Sequence, residues 1–502
     1  MSRLLSRLNR IRGEKGAALP FVAAMMFLLL GMAAFAVDLG WIYLNASRVQ
    51  RAADSAALAG VVHLPGNLPE VDSSTLGGAN ANGYAVGTLN GNPTGTGGPD
   101  QLDWQALADN RLAVELRSSI ETFFIRAIGF GQIDITREST AEYIKPVPLG
   151  SPDPCFGIGN SGIEGQDCNP SPNQNFWAAI SGPYTNKRNG DEHATRWYDN
   201  NGGGWSPPYA SSPPNQGPNS AYRPEGYYLG VEIPSGVTDI DIDIYDAGFY
   251  DRGDFSTETG DREQDTLGGA DTHFQLYDFD STPLDPTDNT PIAGCRFDIN
   301  SEASSGTYEN QWAQLCSLAN PPPGIYVLRI WTTGNIGGTN QYSVRATTTG
   351  PPARVYGIND ISIFNNLAGL STLFLAEVAE VHAGKTLEVD LFDAGEDDQP
   401  AWMTVKEPGG ATATCDWQAF DESGNPVSGP QFSGSGNCRI QTSDGSSIFN
   451  GLLVRIQIDI DNSYTCGADC WWKMEIENSQ PHDRTTWAAR VIGNPVRLTP
   501  NP

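Results

Sequence analysis

The chain has 502 residues, enough for about three domains of roughly 150 residues each. Gly (56) and Pro (35) are abundant, which favours turns and long loops over helix bundles. A net charge of -29 excludes nucleic acid as a partner, because phosphates repel an acidic surface; such acidity either holds cations or keeps an exported surface soluble.

Residues 1–16 carry Arg3, Arg7, Arg10, Arg12 and Lys15 against Glu14, five positive charges against one negative, so the acidity lies entirely in the remainder. Residues 17–37 then run without a charge. Those 21 residues match the roughly 20 that a helix needs to span a bilayer. Basic flanks stay in the cytoplasm, so the chain after residue 37 is expected outside it, as a single-pass membrane protein. Ala34-Phe35-Ala36 also fits a signal-peptidase site. The apolar run is longer than the usual signal core of about 7 to 15 residues, which favours an uncleaved anchor.

The helical pattern continues to residue 62. Ala52, Ala56 and Gly60 recur every four positions, as do Ala53 and Ala57. Small residues at that spacing admit a second helix, and alanine is also the best helix former, so two explanations stand. Residues 63–146 read as a small α+β unit that opens on a Gly/Asn/Pro-rich loop. Leu112, Val114 and Leu116 alternate as in a half-buried strand. Ser118 and Glu121 form a capping box, and Ile120, Phe123, Phe124, Ala127 and Ile128 follow helical spacing up to Gly129. Ile133 and Ile135 begin a second strand, so a βαβ-like arrangement is expected.

Residues 147–175 read as a Pro/Gly linker that holds Cys155 and Cys168. Beyond it lies an internal repeat. Residues 236–248 match 384–395, 321–330 match 449–458, and 340–350 match 484–493. The repeats are mainly β. Ile240, Ile242 and Ile244 lie on one strand face and Asp239, Asp241 and Asp243 on the other. Two antiparallel, jelly-roll-like β-sandwiches related by duplication are expected, over 176–350 and 351–502. They resemble the accessory sandwiches of secreted bacterial proteins, including the prepeptidase C-terminal type.

All eight cysteines follow residue 150, an even number in the exported part, which reads as disulfides. Cys295 and Cys316 are 21 apart in one copy; Cys415 and Cys438 are 23 apart in the other. Equivalent placement favours pairing within each copy. That leaves Cys155 with Cys168, and Cys466 with Cys470 as a loop staple.

No catalytic set emerges, so the chain reads as a non-enzyme without a nucleotide or organic cofactor. The five histidines are scattered, and neither a His-Glu-x-x-His nor a Gly-x-Ser-x-Gly string is present. Gly157 to Gly162 matches a dinucleotide-binding string by chance, and Gly384-Lys385-Thr386 lacks the first glycine of a phosphate loop. Calcium is the one candidate ion. Asp246, Asp251 and Asp254 crowd one turn; Asp393, Glu396, Asp397 and Asp398 crowd the corresponding turn of the second copy. Solvated surface charge is the plainer explanation of both turns.

Taken together, Gly16, the long apolar helix, Asp38 near its outer end, the Ala-Ala-Asp-Ser-Ala-Ala run, the 84–91 string and the 114–143 stretch resemble the TadG-like N-terminal module of Tad (Flp-type) pilus-assembly proteins. The resemblance covers about residues 12–145. It implies a membrane-anchored structural component whose helix engages pilin-like or other Tad machinery proteins. The metal-site Asp-x-Ser-x-Ser of the von Willebrand A domains found in many TadG-like proteins is missing here. The alternative is a surface adhesin whose sandwiches bind glycan, with Trp197, Trp205 and Tyr209 as a sugar platform.

Overall fold

The computed structural model describes residues 18–61, 100–108, 111–143, 147–160, 163–164, 168, 176–183, 185–194, 197–199, 216–249, 262–263, 270–279, 289–300, 308, 310–334, 338–397, 399–479, 483–492 and 496–499. It divides into two compact units, one of residues 1–144 with 495–502, the other of residues 145–494.

The first unit is a helix on a sheet. Helix α1 (Ala18–Gly60) is continuous, as expected of a run rich in Ala and Leu without an internal Pro beyond its first turn. Its apolar N-terminal part is bare: Leu19, Phe21, Met25 and Phe27 are among its exposed side chains, Phe27 by 81%. Beyond Asp38 one face is covered. Val49, Ala52, Ala53, Ala56 and Ala57 are fully buried against Leu112, Val114, Leu116 and Ala141 of the sheet.

Strands β1 (Asp100–Ala108), β2 (Arg111–Glu121) and β3 (Gln132–Tyr143) form an antiparallel meander. The Val496–Thr499 strand adds to its edge, Thr140 facing Thr499 and Tyr143 facing Val496. The last residues therefore leave the second sandwich, to which the sequence assigned them, because the edge of β3 offers them a pairing partner. The helix expected after Ser118 is also absent. Strand β2 runs on to Glu121, where its alternating buried face outweighs the capping-box pattern. Only a single 3-10 turn follows, Ile125–Ile128, closed by Gly129 at φ 105°. The α+β character comes from α1 packing on the sheet, without a βαβ crossover.

The second unit is built from antiparallel sheets, as alternating strands separated by turn residues require. The segment read as a linker is part of it. Leu149–Gly150 and Cys155–Phe156 are short paired strands, and Leu149 and Phe156 are buried in the core. Strand β4 (Phe176–Ser181) has all six residues buried.

The first half contains β5 (Tyr227–Ile233), β6 (Asp239–Tyr245), β7 (Ala270–Tyr277), β8 (Pro291–Asn300), β9 (Trp312–Ala319), β10 (Gly324–Gly334) and β11 (Gly338–Thr349). One layer runs β5-β10-β7-β8 and the other β9-β6-β11. After β12 (Asp360–Asn365), the second half contains β13 (Gly369–Glu377), β14 (Thr386–Phe392), β15 (Pro400–Lys406), β16 (Thr414–Phe420), β17 (Arg439–Asp444), β18 (Leu453–Asp459), β19 (Trp471–Asn478) and β20 (Asp483–Ile492). Its layers run β13-β19-β15-β17 and β16-β18-β14-β20.

Apart from the inserted β16, the two halves connect in the same order. One register differs from the sequence alignment. The 449–458 segment supplies β18, whose counterpart is β9 at 312–319, one strand earlier than the 321–330 match. Both stretches are short apolar runs, and string similarity alone does not tell adjacent strands apart. The halves also merge. Strand β4 pairs with β11 on one side and β12 on the other, and β12 pairs with β20.

Candidate functional site

The most distinctive polar arrangement sits midway along α1, where its apolar run ends. The amides after β2 begin a 3-10 turn and so lack intrahelical acceptors. Asp38 supplies them. Its Oδ1 accepts from the Phe123 amide at 2.9 Å, and its Oδ2 from Phe124 and Ile125 at 2.8 and 2.7 Å. The residue is 1% exposed, enclosed by the turn it caps. Trp41, one helical turn on, meets the Phe123 ring at 5.4 Å. Further along, Gln50 donates to the Glu138 carbonyl at 3.1 Å. Helix and sheet are thus joined by a carboxylate, a ring pair and the alanine face. Sequence reading placed Asp38 near the helix end, but its partners, 85 to 87 residues away, left no local signal.

The alanine face settles one of the two explanations left open. Ala52, Ala53, Ala56 and Ala57 hold the chain's own sheet at close range. The small residues thus serve intramolecular packing, and an external helix would have to use the bare N-terminal part of α1.

The acidic turns prove to be one turn built twice. Asp246 and Asp393 end β6 and β14 with φ of 53° and 61°. The Asp246 amide donates to the Gln311 carbonyl and that of Asp393 to the Leu452 carbonyl. Their carboxylates accept in turn from the amides of Asn310 at 3.2 Å and Gly451 at 2.5 Å. Asp397 accepts from Gln399 and Ser479, and Glu396 from the Asn450 side chain at 3.2 Å. Asp251, Asp254 and Asp398 lie outside the described residues. Among the described residues, no three His, Cys, Asp or Glu side chains converge as metal ligands would.

The second turn gathers a carboxylate that the sequence did not suggest. Asp483, at the start of β20, accepts from the amides of Gly395 and Glu396 at 3.0 and 3.2 Å. Burial pushes Asp483 up to about 6, against these bonds. Burial and the nearby Glu396 raise Asp393 well above the usual carboxylate range.

A second buried cluster joins residues far apart in sequence. His193 lies 3.4 Å from Asp360, which also pairs with Arg223, and its other ring nitrogen meets the Ala221 carbonyl at 2.8 Å. Burial opposes charge on the ring, yet the Asp360 contact lifts the His193 pKa overall. The cluster ties the 191–194 loop to β12 and the 219–223 turn.

Four disulfides stand in the structure: Cys155–Cys168, Cys295–Cys316, Cys415–Cys438 and Cys466–Cys470. The repeat pairs do not occupy equivalent strands. Cys316 lies on β9, while Cys415 lies on β16, the strand inserted in the second half. Trp205 and Tyr209 lie outside the described residues, and Trp197 falls in a short strand, Trp197–Asp199.

Residues 16–63 match the Tad family model, described as Flp pilus-assembly TadE/G-like. The match thus covers the helix and its alanine face, including Asp38. No curated protein matches the chain. Among solved structures, a secreted protein of Parabacteroides distasonis ATCC 8503 is 8% identical, over 52% of this chain and 75% of its own, with a TM-score of 0.12. The N-terminal tandem CBM22 domains of Xyn10C from Paenibacillus barcinonensis are 10% identical, over 63% of this chain and 99% of theirs, with a TM-score of 0.14. Likenesses at such TM-scores carry no weight for fold or function. The matched residues 16–63 thus hold an apolar helix of membrane-spanning length, which Asp38 joins to the small sheet.

Proposed function

We propose that the protein is a single-pass, membrane-anchored structural component associated with Tad (Flp-type) pilus assembly. Its N-terminus lies in the cytoplasm and its disulfide-bonded β unit on the opposite side. The observation that carries this reading is the Tad match on an apolar helix whose side chains before Asp38 stand exposed, Phe21 and Phe27 by 80% and 81%. Such a helix is stable only when lipid or another apolar helix covers it. The basic residues before it set the orientation, and the cysteines fit an oxidising compartment. The role is positional. The helix holds the module in the membrane and meets pilin-like or other Tad machinery helices through its bare apolar part. The β unit is the displayed body.

Fractionation of the native protein tests the reading. The chain is expected in the membrane pellet, released by detergent and retained through high salt and carbonate. A mature N-terminus at Val37 would overturn the anchor in favour of a cleaved signal.

A further inference from the structure

We propose that the tip of the β2–β3 hairpin, residues 122–131, inserts into the membrane leaflet next to the Asp38 end of the helix, as a second, shallow contact with lipid. The proposal rests on the anchoring argued above. Its first ground is composition. Phe123, Phe124, Ile128 and Phe130 are 52%, 52%, 72% and 61% exposed, four large apolar side chains within eight residues, where a water-facing hairpin tip would carry Gly, Asn or Asp. Its one charge is Arg126, with no acidic residue between Thr122 and Gly131, so anionic headgroups are not repelled.

The second ground is backbone accounting. Lipid offers no hydrogen-bond partners, so only a loop whose polar groups are already paired can enter it cheaply. Asp38 takes the amides of Phe123, Phe124 and Ile125. The amides of Thr122, Ala127, Gly129 and Phe130 donate to carbonyls within the loop, to Gly131, Phe124, Arg126 and Ile125, and the Thr122 hydroxyl donates to the Phe130 carbonyl.

The third ground is position. The bonds to Asp38 hold the tip against the residue that directly follows the uncharged run ending at Val37, where a spanning helix leaves the hydrocarbon. Trp41, against Phe123, and Tyr43, 76% exposed, belong to the residue types that collect at that level.

The test uses the full chain in liposomes. All eight native cysteines are disulfide-bonded, so one introduced cysteine carries an environment-sensitive fluorophore. Variants I128C in the tip, L30C in the helix and T136C in β3 are compared with lipids spin-labelled near the headgroup or deep in the acyl chain. The label at 128 is expected to shift to the blue and lose most of its emission to the shallow quencher, while 136 is unaffected. A quenched label at 30 with an unquenched, water-exposed label at 128 overturns the tip contact and leaves the anchor standing. A label at 128 that is blue-shifted but untouched by either quencher also overturns it, in favour of a protein partner. No quenching at 30 removes the anchor, and the proposal with it. Serine at 124, 128 and 130 together is expected to leave the label at 30 quenched and to release a label at 123.

Discussion

The two units close their cores by different means. The unit of residues 145–494 joins two similar halves into one continuous set of sheets and adds four disulfides. The unit of residues 1–144 with 495–502 has no cysteine; it relies on alanines that let a helix lie close on a sheet, and on one carboxylate midway along that helix, where its apolar run ends. The difference teaches where each unit is vulnerable. The larger unit depends on its cross-links and on buried carboxylates. The smaller unit depends on side-chain size along one helix face and on one polar joint.

Removing covalent links should produce the largest effect and confine it to the unit of residues 145–494. The Cys295–Cys316 and Cys415–Cys438 bridges join cysteines 21 and 23 positions apart, and loop-closure entropy assigns each about 3 kcal/mol. Denaturant unfolding of C295S/C316S and C415S/C438S should lower the stability of the larger unit by that order, with the smaller unit unchanged. Equal losses would match the similar loop lengths. A loss confined to C415S/C438S would mean that the inserted β16 hairpin depends on its staple.

The next effect separates the halves by charge. Asp483 has an ordinary value of 3.8 and rises to about 6 in the fold. The folded state therefore holds a proton that the unfolded chain has released, and stability falls as pH rises from about 4 through about 6. Asp483→Asn keeps an acceptor oxygen for the Gly395 and Glu396 amides and has no proton to lose. It should be more stable than the native chain at pH 7, by on the order of 2 kcal/mol, and nearly equal to it at pH 4. Unfolding curves at the two pH values check this. The His193–Asp360 pair slopes the other way at its acid end: the lowered Asp360 contributes stability that is lost as pH falls through its folded value.

The smaller unit should respond to size where the larger one responds to charge. Ala56 is fully buried between α1 and the sheet. Ala56→Leu forces extra methylenes into that contact and should cost about 1–3 kcal/mol. Hydrogen exchange of the Leu112, Val114 and Leu116 amides reports the loss. No change there would mean that the alanines face something other than the sheet.

Much of this was legible in the sequence, and the misses share one cause. Local periodicity revealed α1, the Ile240–Ile242–Ile244 face and the β character of both halves. The four cysteine pairs stand as expected. What escaped were features decided by distant partners. Ile120, Phe123, Phe124 and Ile128 have helical spacing, yet Ile120 belongs to a strand and the other three are bare on a hairpin tip. The Val496–Thr499 strand pairs with β3 across more than 350 residues, which no local pattern announces. Leu149 and Phe156 were hidden among prolines and glycines that read as linker. Asp393 and Glu396 were singled out, but Asp483 joins them only through the fold.

The smallest expected effect is local and tests the joint itself. Asp38 divides its two oxygens between the Phe123 amide on one side and the Phe124 and Ile125 amides on the other. Asparagine has one acceptor oxygen and would turn its NH2 group towards the remaining donors, so Asp38→Asn should behave more like Asp38→Ala than like the native residue. In both variants the three amides should exchange faster, since local opening no longer has to break the capping bonds. The buried amides of Leu112 and Leu116 should keep their native rates, because the alanine face is untouched. Asp38→Glu keeps both oxygens on a longer arm and should recover part of the protection. If Asn protects all three amides as well as Asp does, the carboxylate is not what holds the hairpin tip to the helix. If the sheet core loosens along with the tip, the joint and the alanine face act as one element, and the smaller unit depends on the Asp38 carboxylate throughout.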